Sequence, residues 1–323
     1  MEEKITALCQ NFIDNRDVIK KVFSLESTYI YPIASNALTS HGVKADEAKL
    51  KECKKIISKN AGVLSYLKGN VSAPFAANLS MKEDPKAAFD KVARFYALSK
   101  KQFDRSEFSA LLAIMLSDIV KEENVESVVA RGKEIYNLMK EKHPFLTNDK
   151  DSVLAGLLAL SEKNNTELID DMEKCYELLR IKFSNKSSIQ TVSHILSLTN
   201  GSAREKVEHM IDLYDMLKDA GKKYGVYTEL ATLAAVSILD DDNEKLRDII
   251  LQIDDFLSKQ KGYGILGIDK KTRLMHATML TADLYDTAQN AQTVATASAL
   301  AMAAAQQAAI CIIIASSAAT YAD

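Results

Sequence analysis

The sequence predicts an all-α fold built from about seven repeated pairs of helices. There are only 11 Gly and 4 Pro in 323 residues, which is too few turn-forming residues for a β-sandwich or a parallel sheet. Two independent markers recur with a period of about 40 residues. The chain is also 47% hydrophobic with a net charge of -3, which excludes disorder as its main state.

The first marker is a leucine that ends a short helix rich in Ala, Leu and Ser, here called helix B. This leucine recurs at intervals of 37 to 44 residues, at Leu38, Leu79, Leu116, Leu160, Leu198, Leu239 and Leu280. Helix B is apolar on nearly all sides, which is typical of a helix in an inner layer.

The second marker is a four-residue apolar and aromatic segment on a longer amphipathic helix, here called helix A. It occurs at residues 95–98, 135–138, 175–178, 213–216 and 253–256. Val207, Met210, Ile211 and Tyr214 show the i, i+3, i+4, i+7 spacing of one helical face. A two-helix unit of this length has the size of a HEAT or armadillo repeat. We therefore predict an α-α superhelix, a HEAT/armadillo-like solenoid, over residues 1–286, in which each unit packs only against its neighbours.

Residues 287–323 form a second region, which is rich in Ala and has no Lys, Arg, Asp or Glu before Asp323. We expect a closing helix or helix pair packed on the last unit. A surface for self-association or for a partner is one alternative, and a membrane anchor is another. Gln306 and Gln307 interrupt the apolar run and no basic residue flanks it, so the composition does not favour a membrane span.

Bulk properties indicate a cytoplasmic protein without a cofactor. The four cysteines are Cys9, Cys53, Cys175 and Cys311, and they are too scattered for a zinc site or a disulfide framework. We expect reduced, mostly buried thiols. The chain start, MEEK, lacks the basic and apolar profile of a secretory signal. No metal or nucleophile motif occurs, so the sequence disfavours an ordinary enzyme.

Several motifs resemble an uncharacterised bacterial family, domain of unknown function 4003. They are FLTND at 145–149, YGVYTEL at 224–230, GYGILG at 262–267 followed by KKTRLM at 270–275, and QQAAI at 306–310. The resemblance covers nearly the whole chain, although the family pattern has a proline where Ala231 stands. It implies a bacterial, cytoplasmic protein without an assigned activity, so it transfers no catalytic residue.

Charge is unevenly divided between the two kinds of connection. The connections from helix A to helix B carry 17 Lys and Arg against 8 Asp and Glu, whereas those from helix B to the next helix A sum to -6. The helix dipole does not explain this difference, because every connection joins one C-terminus to one N-terminus. The sequence therefore predicts one basic edge and one acidic edge.

The basic edge has two interpretations, because each A-to-B connection of the later units also carries an aromatic ring. The rings are Phe103, Phe145, Phe183, Tyr224 and Tyr263. In the first interpretation, each ring fills the space between paired helices and the lysines are simply solvated. Alternatively, the edge binds an anion such as nucleic acid or a phosphorylated partner. The candidate residues are Lys222, Lys223, Lys259, Lys261, Lys270, Lys271 and Arg273, with Tyr224, Tyr227 and Tyr263 available for stacking.

Two histidines occupy equivalent positions on helix B. His194 and His276 each precede the marker leucine by four residues, which makes them candidates for an inner surface. They lie two units apart, and because packed helices are about 8 to 10 Å apart, they cannot share a metal ion.

The leading functional hypothesis is a non-catalytic scaffold that binds a protein or peptide on the concave surface formed by the B helices. The first alternative is a nucleic-acid or phosphoanion binder that uses the basic edge. The second alternative is an enzyme with a pocket inside the superhelix near His194 or His276.

Overall fold

The computed structural model describes residues 2–62, 65–240, 242–264 and 267–284, together with residues 303, 304, 306 and 310. Over residues 2–284 the described chain forms fourteen α-helices. They are α1 (Glu2–Val22), α2 (Ile30–Thr39), α3 (Glu47–Asn60), α4 (Ser72–Ser80), α5 (Pro85–Gln102), α6 (Glu107–Ile119), α7 (Val125–Lys142), α8 (Asp151–Leu158), α9 (Asn165–Leu179), α10 (Lys186–Leu196), α11 (Ala203–Asp219), α12 (Leu230–Ser237), α13 (Asn243–Ser258) and α14 (Lys270–Ala282). Its only β-type pairing is an isolated bridge between Tyr263 and Ile268.

The predicted all-α fold is confirmed, and its helices alternate between long and short in seven pairs. The odd-numbered helices are the predicted A helices, and the even-numbered ones are the B helices. Four of the marker leucines lie within their B helix, and Leu160, Leu198 and Leu239 each follow its last residue by two positions. The 40-residue period therefore corresponds to one helix pair.

Local capping explains where several of these helices begin. The side chains of Asp46, Asp84 and Asp269 each accept two backbone N–H groups at the starts of α3, α5 and α14. Asp242 caps α13 by accepting from the N–H of Lys245 at 3.1 Å. These residues satisfy amide groups that have no partner inside the helix.

Cations on helix A satisfy the carbonyl groups at the end of helix B in the same pair. The Lys91 ammonium on α5 donates to the carbonyl of Ser117 on α6 at 2.6 Å. The Arg131 guanidinium on α7 donates to the carbonyls of Ala159 and Ser161 after α8, at 3.0 and 2.7 Å. The last carbonyls of a helix otherwise lack a partner, so these contacts fix the two helices of a pair to each other.

The chain divides into two compact units. The first unit contains Met1–Asp17, Ser27–Lys44 and Asp171–Asp323, and the second contains Val18–Glu26 and Ala45–Asp170. Within the second unit, α3 packs on α5, α5 on α7, and α6 on α8. Within the first unit, α11 packs on α13, α10 on α12, and α12 on α14. In both units, helices of the same kind from consecutive pairs are therefore neighbours.

The core of each unit is dominated by the B helices. Every residue of α8 and of α12 is buried, as is every residue of α10 from Ser188 onward. The A helices bury one face only, such as Leu246, Ile250, Ile253 and Leu257 on α13. The expectation that the B helices offer an open binding surface does not hold for these helices, because their sides are covered by protein.

The uncharged C-terminal region is described at four positions only. Ala303, Ala304, Gln306 and Ile310 are all buried, with at most 4% of their surface exposed. The other residues of the predicted 287–323 region lie outside the described residues. The closing helix, the association surface and the membrane anchor therefore stay predictions for this region.

Candidate functional site

Aromatic rings in the A-to-B connections contact helix A of another pair. In the second unit, Phe103 packs edge-on against Tyr136 with ring centres 5.7 Å apart. In the first unit, Phe183 makes the same contact with Tyr214 at 5.1 Å. These rings fill the space between pairs, as the first interpretation of the basic edge expects. Phe145 differs, because 99% of its surface is exposed.

The connection before α14 contacts the first helix of the chain. The guanidinium carbon of Arg16 on α1 lies 5.8 Å from the ring centre of Tyr263. Both residues belong to the first unit. The sequence prediction that each pair packs only on its neighbours along the chain did not include this contact.

Two of the three tyrosines predicted to stack on a ligand are buried. Only 3% of Tyr224 and 9% of Tyr263 is exposed, and burial raises the pKa of both phenols well above the usual value. Their apolar rings gain more from packing than from exposure at a loop. Tyr227 is the stacking candidate that stays accessible, with 55% of its surface exposed.

Lys222 and Arg273 are held by one buried carboxylate instead of projecting as anion ligands. Asp254 on α13 is completely buried. Its carboxylate accepts from the Lys222 ammonium at 2.6 Å and from the Arg273 guanidinium at 2.7 and 3.3 Å. A buried carboxylate needs cationic partners. Asp254 stands at the marker position that carries tyrosine in the four preceding units, and this exchange was the sequence signal for a buried ion cluster.

The other predicted lysines remain accessible. Lys259 pairs with Asp255 one turn earlier on the surface at 2.7 Å. Four further lysines are exposed and make no side-chain hydrogen bond or ion pair within the described chain: Lys223, Lys261, Lys270 and Lys271. They lie in the last two A-to-B connections and at the start of α14, within the first unit.

Exposed apolar side chains also occur in the A-to-B connections of the first unit, and the sequence analysis did not select all of them. Ile181, after α9, is 85% exposed, and Tyr227, before α12, is 55% exposed. Since α10 packs on α12, α11 on α13 and α12 on α14, we expect the A-to-B connections of the first unit at one edge. We call Ile181, Lys223, Tyr227, Lys261, Lys270 and Lys271 the loop-edge patch. The signal for Ile181 was an apolar residue between Arg180 and Lys182 just beyond a helix end.

The two histidines lie in the core and not on an open inner surface. His194 is 2% exposed and His276 is fully buried. The Nδ1 atom of His276 is 3.1 Å from the hydroxyl of Tyr263, and burial lowers its pKa to about 3, so its ring is neutral at pH 7. His276 therefore contributes to packing and to one hydrogen bond with Tyr263.

The described residues provide little for metal or thiol chemistry. No group of three or more His, Cys, Asp or Glu among them could hold a metal ion. The thiols of Cys9, Cys53 and Cys175 are buried and form no disulfide, and burial raises the pKa of Cys9 to about 12. None of the helices in the described ranges is long and apolar enough to span a bilayer.

Comparison with known proteins supports the resemblance seen in the motifs. A relative in Bacillus subtilis (strain 168), named "Uncharacterized protein YeaA", is 26% identical over 240 residues, which cover 72% of this chain and 71% of the relative. No solved structure matches this chain. The family model described as "Protein of unknown function (DUF4003)" matches residues 15–319. The chain therefore belongs to the DUF4003 family.

Proposed function

We propose that this chain is a cytoplasmic, non-catalytic helical-repeat scaffold, with its pairs arranged as an α-α superhelix, that binds an acidic protein segment at the loop-edge patch. The observation that carries this proposal is that Ile181 and Tyr227 are exposed in A-to-B connections of the first unit, whose later connections also carry exposed lysines that make no ion pair within the described chain. Large exposed side chains flanked by unpaired cations match a partner that has apolar and acidic residues close together.

The energetic contribution of the patch comes mainly from its apolar members. Burying a side chain such as Ile181 contributes about 1.5 to 3 kcal/mol, and aromatic residues such as Tyr227 are common hot spots in interfaces. Lysines at the rim mainly raise the association rate and select against basic partners. The buried B helices have no comparable surface to offer.

A nucleic-acid partner is supported less well by the same residues. The exposed lysines suit phosphate groups, but two of the three tyrosines expected to stack on bases are buried. Ile181 also has no role in binding a phosphate backbone. The geometry therefore favours a protein segment, and the experiment below distinguishes the two partners.

Photo-crosslinking in cells of the organism that encodes the chain tests this proposal. A benzoylphenylalanine residue is placed at Ile181 or Tyr227, and the matched control carries it at Ile119, an apolar residue that is 51% exposed at the end of α6. We expect adducts of discrete mass at the two patch positions and none at the control. Protease should destroy these adducts, and nuclease should leave them intact.

Charge reversal completes the test. Lys270→Glu should reduce the adduct yield at Tyr227, whereas Lys174→Glu, on the exposed side of α9, should leave it unchanged. Equal adducts at Ile119, or equal effects of the two reversals, would contradict binding at the loop-edge patch. An adduct that nuclease destroys would show that the partner is a nucleic acid and not a protein.

A further inference from the structure

Each long helix that ends in the second unit carries exposed lysines in its last turn. They are Lys20 and Lys21 on α1, Lys59 on α3, Lys100 and Lys101 on α5, and Lys140 and Lys142 on α7. The B helices α4, α6 and α8, which lie wholly within the described ranges, have no basic residue in their last turn. The helix dipole favours a cation at the C-terminus of either kind of helix, so it does not explain this difference. We call these lysines the lysine edge.

Contacts between successive pairs bring the A-to-B connections of the second unit together. Glu26, in the connection after α1, accepts a hydrogen bond from the hydroxyl of Ser72 at the start of α4, at 3.0 Å. Asn70, in the connection after α3, donates to the carboxylate of Glu107 at the start of α6, at 2.9 Å. The connection that follows one A helix therefore touches the beginning of the B helix in the next pair.

The last two connections of this unit meet at Tyr136 on α7. Burial raises the pKa of the Tyr136 phenol, and the negative charges of Asp104 and Asp149 add to that rise. Asp104 lies in the connection after α5, and Asp149 lies in the connection after α7. Both carboxylates are therefore close to one phenol, and all four connections belong to one edge of the second unit.

Large apolar side chains project from the same connections. Leu25, after α1, is 100% exposed, and Phe145, after α7, is 99% exposed. Tyr66, between α3 and α4, is 39% exposed. Side chains as exposed as Leu25 and Phe145 touch almost no other part of the protein. Each of these two therefore projects singly from its connection.

Single apolar side chains on an edge with many lysines fit a lipid surface better than a protein. Hot spots in protein interfaces cluster in a packed centre from which a surrounding ring excludes water. A bilayer accepts apolar side chains at any spacing, because its acyl boundary is continuous, and its anionic headgroups attract lysines near the surface. A nucleic acid would also attract the lysines, but the aliphatic Leu25 cannot stack on a base.

We infer that the lysine edge, with Leu25 and Phe145, binds the surface of a bilayer that contains anionic lipids. The lysines lie among the headgroups, and Leu25 and Phe145 enter the boundary between headgroups and acyl chains. This contact is made by connections on one side of the bilayer and needs no spanning helix. It shares no residue with the loop-edge patch, so it can hold whether or not the proposed scaffold function is correct.

Flotation of the full chain with lipid vesicles tests this inference. Vesicles of phosphatidylcholine mixed with phosphatidylglycerol should carry the chain at low salt, and vesicles of phosphatidylcholine alone should not. Sodium chloride should release the bound chain, because exposed charges are screened by salt. Absence of flotation with anionic vesicles at low salt, or equal flotation with both kinds, would overturn the inference. Binding of duplex DNA without flotation would assign the edge to a nucleic acid instead.

A tryptophan reporter locates the contact, because the chain has no Trp of its own. In Phe145→Trp, anionic vesicles should shift the fluorescence emission to the blue, since the indole ring leaves water. The matched control is Ile119→Trp at the end of α6, where the native side chain is 51% exposed, and its emission should stay unchanged. Equal shifts at the two positions would overturn the placement of the bilayer at this edge.

Two further variants separate the apolar and the charged contributions. Phe145→Ser and Lys142→Glu should each weaken binding to anionic vesicles by about tenfold. Both replace exposed side chains, so the fold should be retained. Lys121→Glu is the control, since Lys121 is exposed in the connection after α6, and it should bind like the wild type. Unchanged binding in Phe145→Ser or Lys142→Glu, or an equal effect of Lys121→Glu, would overturn the inference.

Discussion

Removing the carboxylate of Asp254 should cost more stability than removing any exposed charge. Asp254 is buried and accepts three hydrogen bonds from the cations of Lys222 and Arg273. In Asp254→Ala the Lys222 side chain, one-third exposed, can turn toward water, but the Arg273 side chain is only 11% exposed. Breaking a buried pair in this way costs about 3 to 5 kcal/mol, because one charge is left without a partner.

The assay is urea unfolding followed by circular dichroism at 222 nm. We expect Asp254→Ala to lower the free energy of unfolding by about 3 to 5 kcal/mol. The control is Asp255→Ala, because Asp255 is the neighbouring residue and forms only an exposed pair with Lys259. That variant should unfold at nearly the wild-type urea concentration.

A double variant separates the charge effect from lost packing. In Asp254→Leu with Arg273→Met, the uncompensated cation is gone, so most of the lost stability should return. Equal stability of Asp254→Ala and Asp255→Ala would refute the reasoning. So would a double variant that is less stable than Asp254→Ala.

Three further predictions concern a buried histidine, a glycine in the connection before α14, and the buried thiols. Burial lowers the pKa of His276 from 6.5 to about 3. As the pH drops from 6.5 toward 3, this histidine therefore binds a proton in the unfolded chain but not in the folded chain, and the free energy of unfolding should fall. Between pH 7 and pH 5 the wild type should lose about 2 kcal/mol more than His276→Phe in urea unfolding, and parallel pH profiles would contradict this. Gly267→Ala should destabilise the chain by about 1 to 3 kcal/mol, because a Cβ atom there would overlap the carbonyl group of Gly262. Gly62→Ala, with no atom within 4 Å of the added carbon, should be neutral by thermal unfolding, and equal melting shifts would count against the Gly267 argument. The buried thiols of Cys9, Cys53 and Cys175 should resist iodoacetamide at pH 8 and react in urea, as mass spectrometry would show; rapid labelling of the native chain would contradict their burial.

The helix pairs were predictable from local sequence features. The marker leucines and the amphipathic spacing of helix A predicted seven pairs, and the structure has them at the expected places. Capping is equally local, because an aspartate before a helix, such as Asp242, accepts from an amide only three residues away.

The candidate site was predictable only in part, because its residues depend on distant partners. The basic character of the A-to-B connections follows from composition, and Lys270 and Lys271 are exposed as expected. Lys222 looked equivalent to Lys223, yet its ammonium contacts a carboxylate 32 residues away. Nothing within a short window of sequence distinguishes the two.

The sequence by itself determined the helical class, the number of pairs and the charge of each kind of connection, because periodicity, capping and composition act over one or two turns. The tertiary structure decided which side chains remain accessible. Tyr224 and Tyr263 turn into the core, Ile181 is left in solvent, and Arg16 reaches the connection before α14. The physical reason is that exposure and charge pairing depend on which helices pack together, and that packing joins residues far apart in the chain.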